Sequence, residues 1–117
     1  MNFENILFID IETVSQYKNY EDMPEDYKYV WNKKYERNEY LNALNVSEAY
    51  ENKAAIFAEY GKIICISVGY YHKVNDEYRI KSFADHDENI LLEKFKLFCQ
   101  NLKNMTTQRS VVCSTWR

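Results

Sequence analysis

Glycine and proline are almost missing from this chain, with two glycines and one proline in 117 residues. Tight turns draw on those residues, so long elements and few short hairpins are expected. Cysteine is also scarce. Cys65, Cys99 and Cys113 form no C-x-x-C pair and no metal-ligand spacing, which speaks against a disulfide framework or a thiolate metal site and for thiols in a reducing compartment. No apolar run is long enough to span a membrane, and the N-terminus lacks the basic region of a signal peptide. The protein therefore reads as cytoplasmic, with no membrane partner. Nor is there an excess of positive charge. With 15 basic and 18 acidic residues the formal net charge is −3, so contact with an acidic polymer must be local or metal-mediated.

What is present is a globular composition, 46% hydrophobic and 28% charged, with 11 tyrosines. The length suits one small domain with one core. There is no internal repeat.

Residues 6–11, "ILFIDI", are a nearly continuous apolar run and predict a strand covered on both faces. A polar and aromatic stretch follows to about residue 58, a helical insertion over about 24–58. Within it Tyr27, Val30, Trp31 and Tyr35 recur at helical spacing after Pro24, which suits a first helical turn. Ser47, Glu48 and Ala49 open a second helix running through Ala54, Ala55 and Phe57. From Lys62 the pattern alternates: Ile64, Ile66, Val68 and Tyr70 share one strand face, Ile63, Cys65, Ser67 and Gly69 the other. Asn75-Asp76 marks a turn and Tyr78 to Phe83 a returning, antiparallel strand. Asp85 with Glu88 resembles a capping box for a helix over 87–102 that carries Leu91, Phe95, Phe98 and Leu102 on one face. The stretch 104–117, "NMTTQRSVVCSTWR", has neither helical nor strand periodicity and reads as an irregular tail.

The first strand ends in Asp10 and Glu12, two apart and so on the same face. Two like charges held so close repel, and burial would worsen the repulsion. A hard divalent cation resolves it: Mg²⁺ or Mn²⁺ takes carboxylate oxygens and keeps water or phosphate oxygens in its other positions. A pair of such ions about 3.5–4 Å apart suits phosphodiester hydrolysis, one activating water and the other stabilising the leaving oxygen. A bare D-x-E is otherwise a solvated strand end, and only its context promotes it.

That context is a resemblance. "ILFIDIETV" resembles the first exonuclease motif of the DEDD superfamily of 3′–5′ exonucleases. "KAAIFAEYGKIICISVGYY", residues 53–71, resembles the segment after the helical insertion in 3′–5′ exonucleases related to the proofreading domain of family B DNA polymerases. The resemblance covers about residues 4–103. It implies a ribonuclease H-like α/β fold, a mixed sheet with a helical insertion after its first strand, and two Mg²⁺ or Mn²⁺ ions. The implied reaction is hydrolysis at the 3′ end of single-stranded DNA, with RNA as a further substrate class. Asp10 and Glu12 become catalytic metal ligands, and Thr13 lies beside the terminal nucleotide or is a plain strand-exit residue. The resemblance also demands two more acidic residues beyond the helix at 87–102 and a Tyr or His to position water, and none follows. The expectation is a C-terminally incomplete domain with a truncated or out-of-frame tail, inactive on its own. The rival expectation is a non-catalytic ribonuclease H-like module that binds nucleic acid or protein.

Other features are weaker. His72 at a hairpin and His86 at a helix start read as solvated or capping residues. The aromatic insertion reads as packing before base stacking, and Lys33, Lys34 and Arg37, diluted by Glu36 and Glu39, as a solvated face.

Overall fold

The apolar run at the N-terminus forms the first strand, β1, Ile6–Ser15. A computed structural model of the chain describes residues 3–105 and 110–114. The architecture is mixed α/β, with two further antiparallel strands, β2 (Gly61–His72) and β3 (Glu77–Ala84), where the alternating pattern and the turn place them. The sheet order is β3-β2-β1-β4, with β4 (Ser110–Ser114) parallel to β1 in a register running from Ile6↔Ser110 to Asp10↔Ser114. The chain divides into two compact units, one made of Met1–Glu12 and Ile63–Arg117, the other of Thr13–Lys62.

In the first unit the hairpin pairs His72 with Glu77 and Cys65 with Ala84 at its two ends. Its turn places Asp76 at φ 53°, left-handed backbone that Asp tolerates better than most residues. The Tyr71 hydroxyl donates to the Asp76 carboxylate there. Helix α4, Glu88–Met105, packs Leu91 and Leu102 against Leu7, Ile66, Val68 and Phe83, with Ile9, Ile11, Tyr70, Phe95 and Phe98 partly buried around them. Each large side chain so buried is worth about 1.5–3 kcal/mol, which is what commits one face of the sheet to the helix.

Two expectations at the ends of α4 need correction. Asp85 is not its cap. Asp87 is: its Oδ1 accepts from Asn89 N at 2.9 Å and Ile90 N at 3.3 Å, while Asp85 accepts from Asp87 N at 2.9 Å in the preceding turn. Glu88 accordingly turns away from the helix, and its Oε1 accepts from the Ile63 amide at 3.0 Å. The C-terminal stretch read as irregular holds the end of α4 to Met105 and all of β4. Five residues are too few for a periodic signal, and this strand owes its form to the parallel edge β1 offers. Residues 106–109 and 115–117 lie outside the described residues.

The second unit holds α1 (Glu25–Glu36), α2 (Glu39–Asn42) and α3 (Val46–Lys53), followed by a 3₁₀ turn at Ala54–Ile56. Pro24 caps α1, its carbonyl accepting from Lys28 N at 3.0 Å. Helix α3 opens one residue ahead of the expected Ser47: Asn45 is the cap, its side chain accepting from Glu48 N at 2.9 Å. The core is aromatic. Met23, Trp31, Leu41, Ala49, Tyr50, Ala54 and Tyr60 are buried together, and Trp31 meets Tyr50 and Tyr60 edge-on at 5.4 and 5.0 Å. Polar tips find partners: Trp31 Nε1 donates to Val46 O at 3.2 Å, and the Tyr50 hydroxyl accepts from Tyr17 N and donates to Tyr17 O. The exception is Tyr60, whose buried hydroxyl has no hydrogen-bond partner.

Gly61 is needed for space: a Cβ there would lie 2.5 Å from the Ala55 carbonyl oxygen and 3.2 Å from that of Phe57. Gly61→Ala should lower stability by about 1–3 kcal/mol through forced backbone movement, read as a drop in the urea midpoint. Burial holds the Tyr60 phenol up at about 12, above its ordinary 10.0. The stability linked to keeping it neutral is whole below the ordinary value and drains away as pH rises through the folded one. Tyr60→Phe should leave the neutral-pH melting temperature unchanged or slightly higher, since no hydrogen bond is lost, and should blunt the alkaline fall. Thermal melts at neutral and alkaline pH test both halves.

Candidate functional site

Leu7, Ile9 and Ile11 pack with the α4 core. Alternation along the strand therefore turns Phe8, Asp10 and Glu12 to the opposite face of the sheet. The structure brings Asp10 and Glu12 together on one face, as the D-x-E spacing predicts, in a strand interior to the sheet. Their surroundings differ. Glu12 is exposed, whereas Asp10 is half-buried and its Oδ1 is fully buried with no hydrogen-bond partner. A buried polar oxygen without a partner is costly unless something supplies one.

The neighbouring strand sets the rest of this face. A Cβ on Gly69 would touch Phe8 Cβ at 3.6 Å, so the two residues face each other across β1 and β2. β1 and β2 are neighbours in the sheet and run antiparallel. That register carries Asp10 opposite Ser67 and Glu12 opposite Cys65. Ser67 Oγ in turn shares a hydrogen bond with Ser82 Oγ on β3 at 2.8 Å, and Cys65 Sγ lies 3.9 Å from Ser67 Oγ. The two hydroxyls thus link β2 and β3 on the face that carries Asp10. Sequence reasoning placed Ser67 on this face but missed its place opposite Asp10, because that depends on the β1–β2 register.

Thr13 belongs to the second unit, and its Oγ1 donates to the Ala55 carbonyl at 2.8 Å. His72 ends β2 with its Nδ1 buried and unpartnered, and His86 is exposed ahead of α4. Among the described residues no group of three or more His, Cys, Asp or Glu side chains is placed to hold a metal ion. Asp10 and Glu12 are a pair only.

In the insertion most of the aromatics are core or packed against it. Tyr29 and Tyr40 stand out, 65% and 55% exposed, with Lys33 Nζ 5.7 Å and Lys53 Nζ 3.3 Å from their ring centres. Lys33 and Lys34 are paired with Glu36 and Glu59, and the Lys34 hydrogen bond holds the Glu59 carboxyl below its ordinary range. That is a balanced surface rather than a phosphate track. No helix among the described residues is long and apolar enough to cross a membrane.

Comparison with protein-family models, with curated proteins and with solved structures finds no match to this chain.

The lone Oδ1 of Asp10 gives a direct stability test. Without added divalent ions, Asp10→Asn should melt at the same temperature as the native chain or higher, because an uncompensated charge beside a buried oxygen is removed. A melting scan in chelator checks it, and a clear fall would mean that the carboxylate holds the fold together.

Proposed function

We propose that this chain carries the first half of the metal site of a 3′–5′ exonuclease built on a ribonuclease H-like sheet. The observation that carries the reading is the buried, unpartnered Oδ1 of Asp10 on the same strand face as Glu12. A hard cation fits such a donor set: two carboxylates, one of them lacking any protein donor. The strand order β3-β2-β1-β4, with an antiparallel hairpin and a parallel β4, supports the fold part of the reading, since that order is expected of a ribonuclease H-like sheet.

Asp10 and Glu12 would hold Mg²⁺ or Mn²⁺, and the ions would supply an activated water and charge neutralisation for phosphodiester cleavage. The chain's own residues tether, orient and leave the site open. Glu12 faces solvent, where a phosphate oxygen can approach. Thr13, next along β1, has its hydroxyl engaged with Ala55, so its contribution to a bound 3′ end would come from its backbone. Single-stranded DNA is the proposed substrate, with RNA the nearest alternative.

A second reading has its own observation. The missing third ligand among the described residues favours a non-catalytic module of the same fold that binds nucleic acid or protein.

Nuclease assays on a 5′-labelled single-stranded oligonucleotide separate the two. The 117-residue chain should degrade it negligibly with Mg²⁺ or Mn²⁺, because two carboxylates cannot hold two ions at fixed separation. Supplying the missing acidic strands, by fusion to the C-terminal half of a DEDD exonuclease domain, should give 3′-end digestion that Asp10→Ala and Glu12→Ala abolish. Robust Asp10-dependent cleavage by the chain alone would overturn the two-carboxylate account. A fusion that folds and binds the strand without cutting it would favour the binding module.

A further inference from the structure

We propose that the outer edge of β3 is a docking site for an extended segment of another protein in which apolar and acidic residues alternate. The segment would lie beside β3 as a further strand of the sheet.

In the order β3-β2-β1-β4, β3 is an edge strand among the described residues. Every second amide and carbonyl of such a strand points away from the sheet and can pair with another chain. Folded proteins blunt these edges with very short strands, bulges or proline. β3 has none of the three. It runs through Glu77–Ala84 in unbroken register with β2, from His72↔Glu77 to Cys65↔Ala84, and its sequence holds no proline.

The side chains of β3 set the chemistry of the partner. Phe83 packs with the α4 core, so alternation turns Arg79 and Lys81 to the helix side and Tyr78, Ile80 and Ser82 to the other. Tyr78 and Ile80 are 62% and 83% exposed. Ile80 stands opposite Gly69, which offers no side chain to cover it. Apolar residues on an added strand would cover both. On the helix side two cations stand two residues apart. Lys81 is exposed, with its Nζ 5.3 and 5.4 Å from the ring centres of Phe83 and Phe98. Arg79 gives Glu77 only part of its fork of five donors, Nε at 2.6 Å. Acidic residues directly opposite Arg79 and Lys81 make favourable cross-strand pairs.

The same charges argue against a second copy of the chain. An antiparallel pair of β3 strands centred on Ile80, the residue most in need of cover, sets Arg79 of each against Lys81 of the other. Like charges directly opposite are destabilising. The edge therefore repels its own kind and any basic strand, and admits an acidic one.

Fluorescence polarisation on the full chain tests this with two labelled peptides, one alternating valine and glutamate, the other valine and lysine. The glutamate peptide should bind, and the lysine peptide should bind about 10-fold more weakly, the swing expected across two cross-strand charge pairs. Lys81→Glu should weaken the glutamate peptide and strengthen the lysine one, a reversal that loss of folding does not produce. Hydrogen exchange should show new protection of β3 amides when the glutamate peptide is added. Three results with the native chain, which need no variant to fold, would overturn the proposal: no binding of either peptide, equal binding of both, or protection that spares β3. A dimer in sedimentation that Lys81→Glu alters would assign the edge to a second copy and overturn it too.

Discussion

Leu7, Ile9 and Ile11 are held under α4, and much else in the first unit follows from that contact. A strand has only two faces. Once three alternate residues are committed to the helix, Phe8, Asp10 and Glu12 have no choice of direction. A slip of one residue in β1 would bury two carboxylates under α4 and expose three large aliphatic side chains. With each side chain worth about 1.5–3 kcal/mol, the core outweighs any preference the carboxylates have. The polar face is thus specified by the apolar one, and the two acids on one face within β1, which runs on to Ser15, are its direct result.

The same contact explains why Asp10 is uncomfortable. An interior strand has neighbours on both sides, so side chains along it are screened from water by those of β2. Glu12, two residues further along, escapes into solvent. The pair is therefore asymmetric: one oxygen is desolvated and unpaired, and the neighbouring carboxylate is free to take part in whatever binds. Such asymmetry sets the pair apart from a solubilising surface, where both groups would be wet.

How much of this was legible in the sequence depends on the range of the interactions. The β2–β3 hairpin was readable because Ile64, Ile66, Val68 and Tyr70 alternate and Asn75-Asp76 supplies turn chemistry, all local signals. The face shared by Asp10 and Glu12 was readable for the same reason. The caps of α3 and α4 shifted by two residues because Asn45 and Asp87 compete with Ser47 and Asp85 as equally good cap formers, and local pattern does not rank them. Strand β4 was not readable at all. Its form comes from pairing with β1, more than a hundred residues away in sequence number at Ile6↔Ser110. The place of Ser67 opposite Asp10 was invisible likewise, since it needs the register between β1 and β2.

The aromatic insertion follows a different rule. Its elements are short, with α2 only four residues long, and such helices do not hold together by propensity. Tyrosine and tryptophan supply what length cannot. Trp31, Tyr50 and Tyr60 pack edge to face with one another, and the rings of Trp31 and Tyr50 carry polar tips that reach carbonyls as they pack. The abundance of tyrosine, read from the sequence as packing before base stacking, is spent largely on building a core for Thr13–Lys62. Charge and an unpaired oxygen coincide instead on the polar face of β1.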